Sequence, residues 1–388
     1  MKISRRNFLK GSATTLFLAG FNFPVFSSST KKKNLVVIML RGGMDGLCAV
    51  AASGDKNYEK RRKKILIENT IKLDSDFALH PKLEAFHQCW KENTGAIIHA
   101  TSIPYTGRSH FEGQNLMESG GKIPYQEKTG WLGRGMKLAK LQGDGLALSL
   151  PMPLLLRGVP KNNNYYPSDG KLPREETLEL LRSIYADSSE EQLLDMMNFI
   201  KKRKNEEMMG GYAADKRNNR NLAKQAAEYL KKPNGPRVAV FEVNGFDTHA
   251  AQGGINGTHT RCLLEMDDVI RYLKTYLADA YKDTIILTLT EFGRTVAQNG
   301  GNGTEHGYGS ALFMAGGLIK KSQVYSDWPG LKRKELYQGR DLNATIDARS
   351  VYASAMSTVF DLDFKRIQKD VFWGEDLQNL SDKLFKSA

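Results

Sequence analysis

The stretch Val238-Ala239-Val240-Phe241-Glu242-Val243-Asn244-Gly245-Phe246-Asp247-Thr248-His249 reads as a strand that runs straight into a polar turn. Arg237 to Val243 is mostly apolar and rich in valine, and Pro236 and Gly245 bound it. A short apolar run of this kind is the pattern of a parallel strand covered on both faces. Asp247 and His249 follow, two residues apart. Open α/β sheets bind ligands beyond the carboxyl ends of their strands. This segment therefore delivers a carboxylate and an imidazole to that place. The plainer reading is a capping aspartate and an incidental histidine before the next helix.

The same pattern recurs on both sides of it. Leu35 to Leu40 is a second apolar strand, ending in Arg41-Gly42-Gly43-Met44-Asp45-Gly46-Leu47. The glycines allow a tight turn and leave Asp45 at the strand's end. Gly95 to Ala100 is the next strand. Beyond it, Gly107-Arg108-Ser109-His110-Phe111 opens a helix from His110 to Glu118. Ser109 reads as a helix cap or as a nucleophile, with Thr106 nearby. Free N–H groups at a helix start favour anions, and Arg108 adds a fixed positive charge. Thr284 to Thr290 is a third strong strand, ending in Glu291-Phe292-Gly293-Arg294, which alone would read as a surface salt bridge. A Gly/Asn loop, Asn299 to Gly303, leads to Thr304-Glu305-His306-Gly307, and Ala311 to Ala315 forms another short strand.

Residues 82 to 92, Trp131 to Leu141 and Arg261 to Lys282 read as helices, the last with Leu263, Leu264, Met266, Ile270 and Leu273 facing inward. Gly145 to Leu150 reads as a strand. From about 162 to 232 the composition turns to Lys, Arg, Glu and Asn, with helical spacing over Glu175 to Ala186, Ser189 to Lys204 and Leu222 to Lys231. This is a helical insertion with a solvated face. The fold class is α/β: a doubly wound, mostly parallel sheet with helices on both faces, one domain over residues 31–388.

The first thirty residues stand apart. Ser4-Arg5-Arg6-Asn7-Phe8-Leu9-Lys10 precedes an apolar run from Ala13 to Phe26. The run is shorter than the roughly 20 residues of a membrane-spanning helix and fits an export signal. The paired arginines followed by Phe-Leu-Lys resemble the twin-arginine signal. That implies engagement with the twin-arginine export machinery, a periplasmic or otherwise exported location, and membrane contact only through an uncleaved signal. The 388-residue chain is 40% hydrophobic and 26% charged, as soluble globular proteins are. Its net charge is +13, of which Lys2, Arg5, Arg6 and Lys10 carry four. The remaining basic residues are spread along helices without interleaved aromatics, which excludes nucleic acid and favours solubility or steering of an anionic substrate. Three scattered cysteines form neither a CxxC motif nor a disulfide framework.

Strand ends thus carry, or are followed by, Asp45, Ser109, Asp247, His249, Glu291 and His306. Two Asp, one Glu and two His suit zinc, manganese or magnesium. A serine beside such an ion can attack phosphorus or sulfur, and Arg108 or Arg294 can neutralise the charge that develops. His80 and His110 are further candidate donors, read here as structural.

Leu40-Arg41-Gly42-Gly43-Met44-Asp45-Gly46-Leu47, Leu79-His80-Pro81, Arg108-Ser109-His110-Phe111, Gly245-Phe246-Asp247-Thr248-His249, Glu291-Phe292-Gly293-Arg294-Thr295 and Glu305-His306-Gly307 together resemble the DUF1501 family. So do Trp328-Pro329-Gly330-Leu331 and Gly339-Arg340-Asp341-Leu342. The family is similar to the alkaline phosphatase/sulfatase superfamily. The resemblance implies an alkaline-phosphatase-like core and a metal-assisted hydrolase site, with Asp45, Asp247, His249 and His306 as metal ligands. The superfamily's Asp-His pair after a late strand is absent here, where that strand ends in Glu291-Phe292-Gly293-Arg294. One metal site or none is expected, not two. Two functions follow: an exported metal-dependent hydrolase of phosphate or sulfate esters, or a non-catalytic exported binding protein that keeps the hydrolase fold.

Overall fold

The computed structural model describes residues 33–148, 151–165 and 218–386, together with Glu176 and Glu179. The twin-arginine segment and the helices expected over Glu175 to Ala186 and Ser189 to Lys204 lie outside the described residues. No helix among the described residues is long and apolar enough to cross a membrane.

Among the described residues twelve strands are present in chain order: β1 (Asn34–Leu40), β2 (Val50–Ala51), β3 (Ile71–Lys72), β4 (Ala78–Leu79), β5 (Gly95–Ser102), β6 (Gly145–Leu148), β7 (Asn163–Tyr165), β8 (Val238–Val243), β9 (Thr284–Leu289), β10 (Ser310–Ala315), β11 (Val324–Tyr325) and β12 (Ile346–Asp347). The main sheet runs β11-β5-β10-β9-β1-β8-β6-β7, with β12 also on β5; β2, β4 and β3 form a separate small sheet. β1 lies at the centre, parallel to β8 on one side and to β9 on the other. Its side chains alternate between two cores. Val36, Ile38 and Leu40 pack on one face; Leu35, Val37 and Met39 pack on the other. This is why the strand reads as a continuous apolar run. Helices Glu84–Lys91, Asn219–Leu230 and Thr258–Leu277 contribute to the first core. Helices Trp131–Leu138, Ala348–Phe360 and Phe364–Val371 contribute to the second.

One strand departs from the parallel pattern. β10 is antiparallel to both β9 and β5. It therefore enters the sheet from the edge where β1, β5, β8 and β9 leave it. The loop before β10, carrying His306, lands beside the turns that follow those four strands. An antiparallel strand inside the sheet is what brings residues 304–309 to the carboxyl ends.

Several local expectations shift. Residues 163–165, expected at the start of the insertion, form β7 and pair with β6. The helix expected over Leu222 to Lys231 is present as Asn219–Leu230. The helix expected over Arg261 to Lys282 spans Thr258–Leu277 and continues as a 3₁₀ segment, Ala278–Asp283. Leu263, Met266, Ile270 and Leu273 are buried, whereas Leu264 is exposed. It follows Leu263 directly, so it is turned by a full residue step away from the buried stripe.

Three histidines are locked inside this framework. Burial pushes His80 and His99 down to about 4 and His259 to about 3. A depressed histidine contributes stability that is complete above its unfolded pKa near 6.5 and is lost as pH falls toward its folded value. Each group therefore costs about 1.4 kcal/mol per pH unit below about 6.5 until its own folded pKa is reached. Urea unfolding midpoints should accordingly drop steeply between pH 7 and pH 4.5. A midpoint constant over that window would contradict the neutral burial of these three side chains.

Candidate metal centre

The turn after β1 sets the floor of the site. Gly42 and Gly43 have φ of 115° and 73°, the left-handed region that glycine enters without strain. A Cβ on Gly42 would fall 2.4 Å from the Asp247 backbone nitrogen. The turns after β1 and β8 therefore pass each other at backbone contact, and only glycine permits that approach.

Four side chains converge beyond this turn: His110 at the first position of helix His110–Ser119, Asp247 and His249 after β8, and His306 before β10. Asp247 is the hub. Its Oδ1 lies 2.9 Å from His249 Nε2 and 3.1 Å from His306 Nε2. Its Oδ2 lies 3.3 Å from His110 Nε2. Donor atoms of His110, Asp247 and His306 all fall within 4.8 Å of one another. His249 joins through His306, their Nε2 atoms 2.9 Å apart.

Each ring is fixed by its other nitrogen. His110 Nδ1 is 2.9 Å from Glu291 Oε1, His249 Nδ1 is 2.8 Å from Glu305 Oε2, and His306 Nδ1 is 2.7 Å from the Arg108 carbonyl oxygen. Carboxylates and carbonyls only accept, so each Nδ1 carries the proton and donates. In the neutral rings the three Nε2 atoms are then lone pairs turned toward Asp247. Acceptors do not hold such spacings against each other without a proton or cation among them. His110 Nε2 is sealed from solvent and has no hydrogen-bond partner among the described residues. Atoms bound to one ion at about 2.0–2.1 Å lie roughly 3.0–3.4 Å apart, close to these separations. Charge agrees: of the carboxylates Asp247, Glu291 and Glu305, among the described residues only Asp247 is paired with a guanidinium, that of Arg294, so the group is negative with its imidazoles neutral and suits a cation. The donor set fits a metal ion.

The electrostatics follow from these contacts. Burial pushes the Asp247 carboxyl up, but the Arg294 guanidinium, His110 and His306 outweigh it and hold it at about 2. His110 is raised, first by its hydrogen bond to Glu291. His306 is lowered by burial. Burial raises Glu291, but His110, Gln114 and the Gly42 N–H together bring it below its ordinary value.

The residues expected from sequence divide into three groups. Asp247, His249 and His306 lie within about 3 Å of one another through their Oδ1 and Nε2 atoms. Glu291 and Arg294 reach the cluster in supporting positions. The Glu291 side chain is fully buried and accepts from Gly42 N–H (2.8 Å), His110 Nδ1 and Gln114 Nε2 (3.1 Å), so it positions His110. Arg294 donates from Nη1 to Asp247 (2.9 Å) and from Nε to Thr304 Oγ1 (3.1 Å). No Glu291–Arg294 salt bridge forms among the described residues.

Asp45 goes elsewhere. Its carboxylate is wholly buried, accepts Leu47 and Cys48 N–H as a helix cap, and is paired bidentately with Arg62 at 2.5 and 2.6 Å. Gln252 Nε2 donates to it at 2.6 Å. These partners occupy both oxygens, which explains why the carboxylate at the first strand's end is structural and no metal donor. His110, read from sequence as structural, is the reverse case. Its signal was its place at a helix start directly after Ser109. His80 is structural as expected, buried with Nε2 3.2 Å from Thr260 Oγ1. Ser109 begins the helix, but its hydroxyl caps none of the helix N–H groups. Arg108 is ion-paired with Asp341 at 2.7 Å.

Two outcomes follow. Replacing Arg62 by Met strands a buried carboxylate and should cost about 3–5 kcal/mol in unfolding free energy; a loss below about 1 kcal/mol would show that Asp45 has other compensation. Glu291→Gln offers His110 Nδ1 an amide in place of a carboxylate. It should weaken binding of added zinc about 10- to 100-fold in a competitive chelator titration, while an unchanged affinity would remove Glu291 from the site.

No curated protein matches the sequence. Among solved structures, the chain is similar to the murine ectonucleotide pyrophosphatase/phosphodiesterase 5 in complex with AMP (TM-score 0.43, 11% identity, covering 91% of this chain and 100% of that one). It is similar to a putative sulfatase from Bacteroides fragilis (TM-score 0.43, 11% identity, 93% and 81%). It is also similar to the C-terminal periplasmic domain of EcEptC from Escherichia coli (TM-score 0.42, 12% identity, 90% and 88%). The family model described as a protein of unknown function, DUF1501, matches residues 32–369, and the chain belongs to that family.

Proposed function

We propose that this chain is an exported metal-dependent hydrolase of phosphate or sulfate esters. The observation that carries the reading is the convergence of three Nε2 lone pairs on Asp247, each imidazole held by an acceptor at its Nδ1. His110, Asp247, His249 and His306 would hold zinc, manganese or magnesium. When bound, the ion would supply Lewis-acid polarisation of an ester oxygen.

The chain's own residues supply the rest. Asp247 and His249 are the more open members of the cluster, with side chains 43% and 41% exposed, so an ester can approach from their side. Arg294, itself buried, fixes the Asp247 carboxylate and keeps it ionised. Ser109 precedes His110 at a helix start whose N–H groups its hydroxyl leaves uncapped. Those N–H groups favour an anion, and Ser109 is the proposed nucleophile. Its proton would pass to solvent, since each imidazole of the cluster carries a proton at Nδ1 and would give its Nε2 lone pair to the ion.

Metal content of the purified chain, measured by elemental analysis beside an Asp247→Ala/His249→Ala double variant, tests the reading. Near-stoichiometric zinc, manganese or magnesium in the parent and none in the variant is expected. Hydrolysis of aryl phosphate or aryl sulfate should be lost in the variant and fall by at least about 100-fold in Ser109→Ala. A chain that takes up no metal after reconstitution, and turns over neither ester, would instead be the non-catalytic binding protein.

A further inference from the structure

Beside the metal centre lies a second charged group that the reaction above does not use. Asp341 has a fully buried side chain, and two arginines grip it. Arg340 donates from Nε to Oδ1 (2.7 Å) and from Nη2 to Oδ2 (3.3 Å). Arg108 donates from Nη2 (2.7 Å) and Nε (3.3 Å) to Oδ2. Both are attached to His306. The Arg108 carbonyl accepts from His306 Nδ1, and Arg340 Nη2 donates to the His306 carbonyl at 2.5 Å. Arg108 Nη2 also donates to Gln338 Oε1 at 2.8 Å.

Two guanidinium groups share one carboxylate, which leaves an unbalanced positive charge. Asp341 is buried but the arginines are not: their side chains are 27% and 42% exposed. Among the described residues neither Nη1 donates a hydrogen bond, so each guanidinium keeps an edge for a ligand. Arg108 also holds a φ of 60°, uncommon for a residue with a side chain. That conformation accompanies a carbonyl aimed at His306 and a guanidinium on Asp341. Backbone strain of this kind persists where surrounding structure enforces it, and it concentrates at functional sites. Planar guanidinium forks match phosphate and sulfate oxygens in two-point contacts. Fixing them on a buried carboxylate removes the ordering cost such long side chains otherwise incur.

We infer that Arg108 and Arg340, held by Asp341, form a subsite for a second anionic group. The substrate is then an ester that carries another phosphate or sulfate within a few bonds of the one at the metal centre. This rests on the hydrolase reading for the first group, but the subsite is testable by itself. The neutralised metal centre takes one oxyanion and the arginine pair takes the other.

Propane-1,3-bisphosphonate and propylphosphonate distinguish the two, since neither contains a cleavable ester. Binding is measured by titration calorimetry on the zinc-reconstituted chain, with metal content determined on the same samples. The bisphosphonate should bind at least about tenfold tighter. That preference, taken as the ratio of the two affinities in samples matched for zinc content, should fall to near unity in Arg340→Gln and in Arg108→Gln. Equal affinities in the parent, or a preference that survives both substitutions, would overturn the subsite. A preference lost in both variants in a chain that holds no metal would keep the subsite and remove the hydrolase. Arg340 lies on the surface, so that variant is expected to fold as the parent does, and its unfolding midpoint checks this.

Discussion

The arrangement of the His110–Asp247–His249–His306 cluster depends on one buried carboxylate. Glu291, two residues beyond Leu289 at the end of β9, receives Gly42 from the turn after β1 and two side chains from helix His110–Ser119. Three stretches widely separated in sequence are thereby fixed to one another. A carboxylate sealed from solvent is costly unless it is hydrogen-bonded; here three donors converge on Oε1, and the Thr290 hydroxyl meets Oε2 at 3.4 Å. Gln114 has a second role. Its Oε1 accepts from Arg41 at 3.0 Å while its Nε2 donates to Glu291. The amide lies between a guanidinium and a carboxylate that would otherwise attract each other directly. Arg41 instead pairs with Glu118 and Glu242, and Glu291 remains an acceptor for His110.

A second layer lies behind Asp247. Arg294 is fully buried and its guanidinium is held by the Thr304 hydroxyl and carbonyl. Thr304 in turn donates to Gln252 Oε1 at 2.6 Å, and Gln252 donates to Asp45. The Asp45–Arg62 pair is thus the far end of a continuous hydrogen-bonded path that finishes at the metal centre. Burying an ion pair seldom adds net stability. Its service in this fold is geometric, since it gives Gln252 a charged acceptor and so sets which way the amide faces.

Strands were legible because they are buried on both faces and bounded by glycine, proline or charge. β1, β8 and β9 appear where the apolar runs place them, and so do Asp247 and His249, which follow β8 directly. The direction of β10 was not legible. Five apolar residues, Ala311 to Ala315, look the same in either orientation, and only the pairing with β5 and β9 decides it. Asp45 misled because a carboxylate at a strand end looks identical whether it meets an ion or an arginine. Arg62, its partner, sits seventeen positions further on in an unremarkable basic helix. His110 was undervalued for the same reason in reverse. Nothing adjacent to it in sequence shows Glu291, which approaches from a position 181 residues away.

The backward course of β10 also bears on when the centre can exist. His306 reaches Asp247 only once β10 has inserted between β9 and β5, and β5 is contributed from some two hundred positions earlier in the chain. Contacts of such long range form late and slowly. An unfolded or half-folded chain offers a cation scattered imidazoles and no cage. An ion that fitted the cluster would bind the completed structure alone and would add to its stability by mass action.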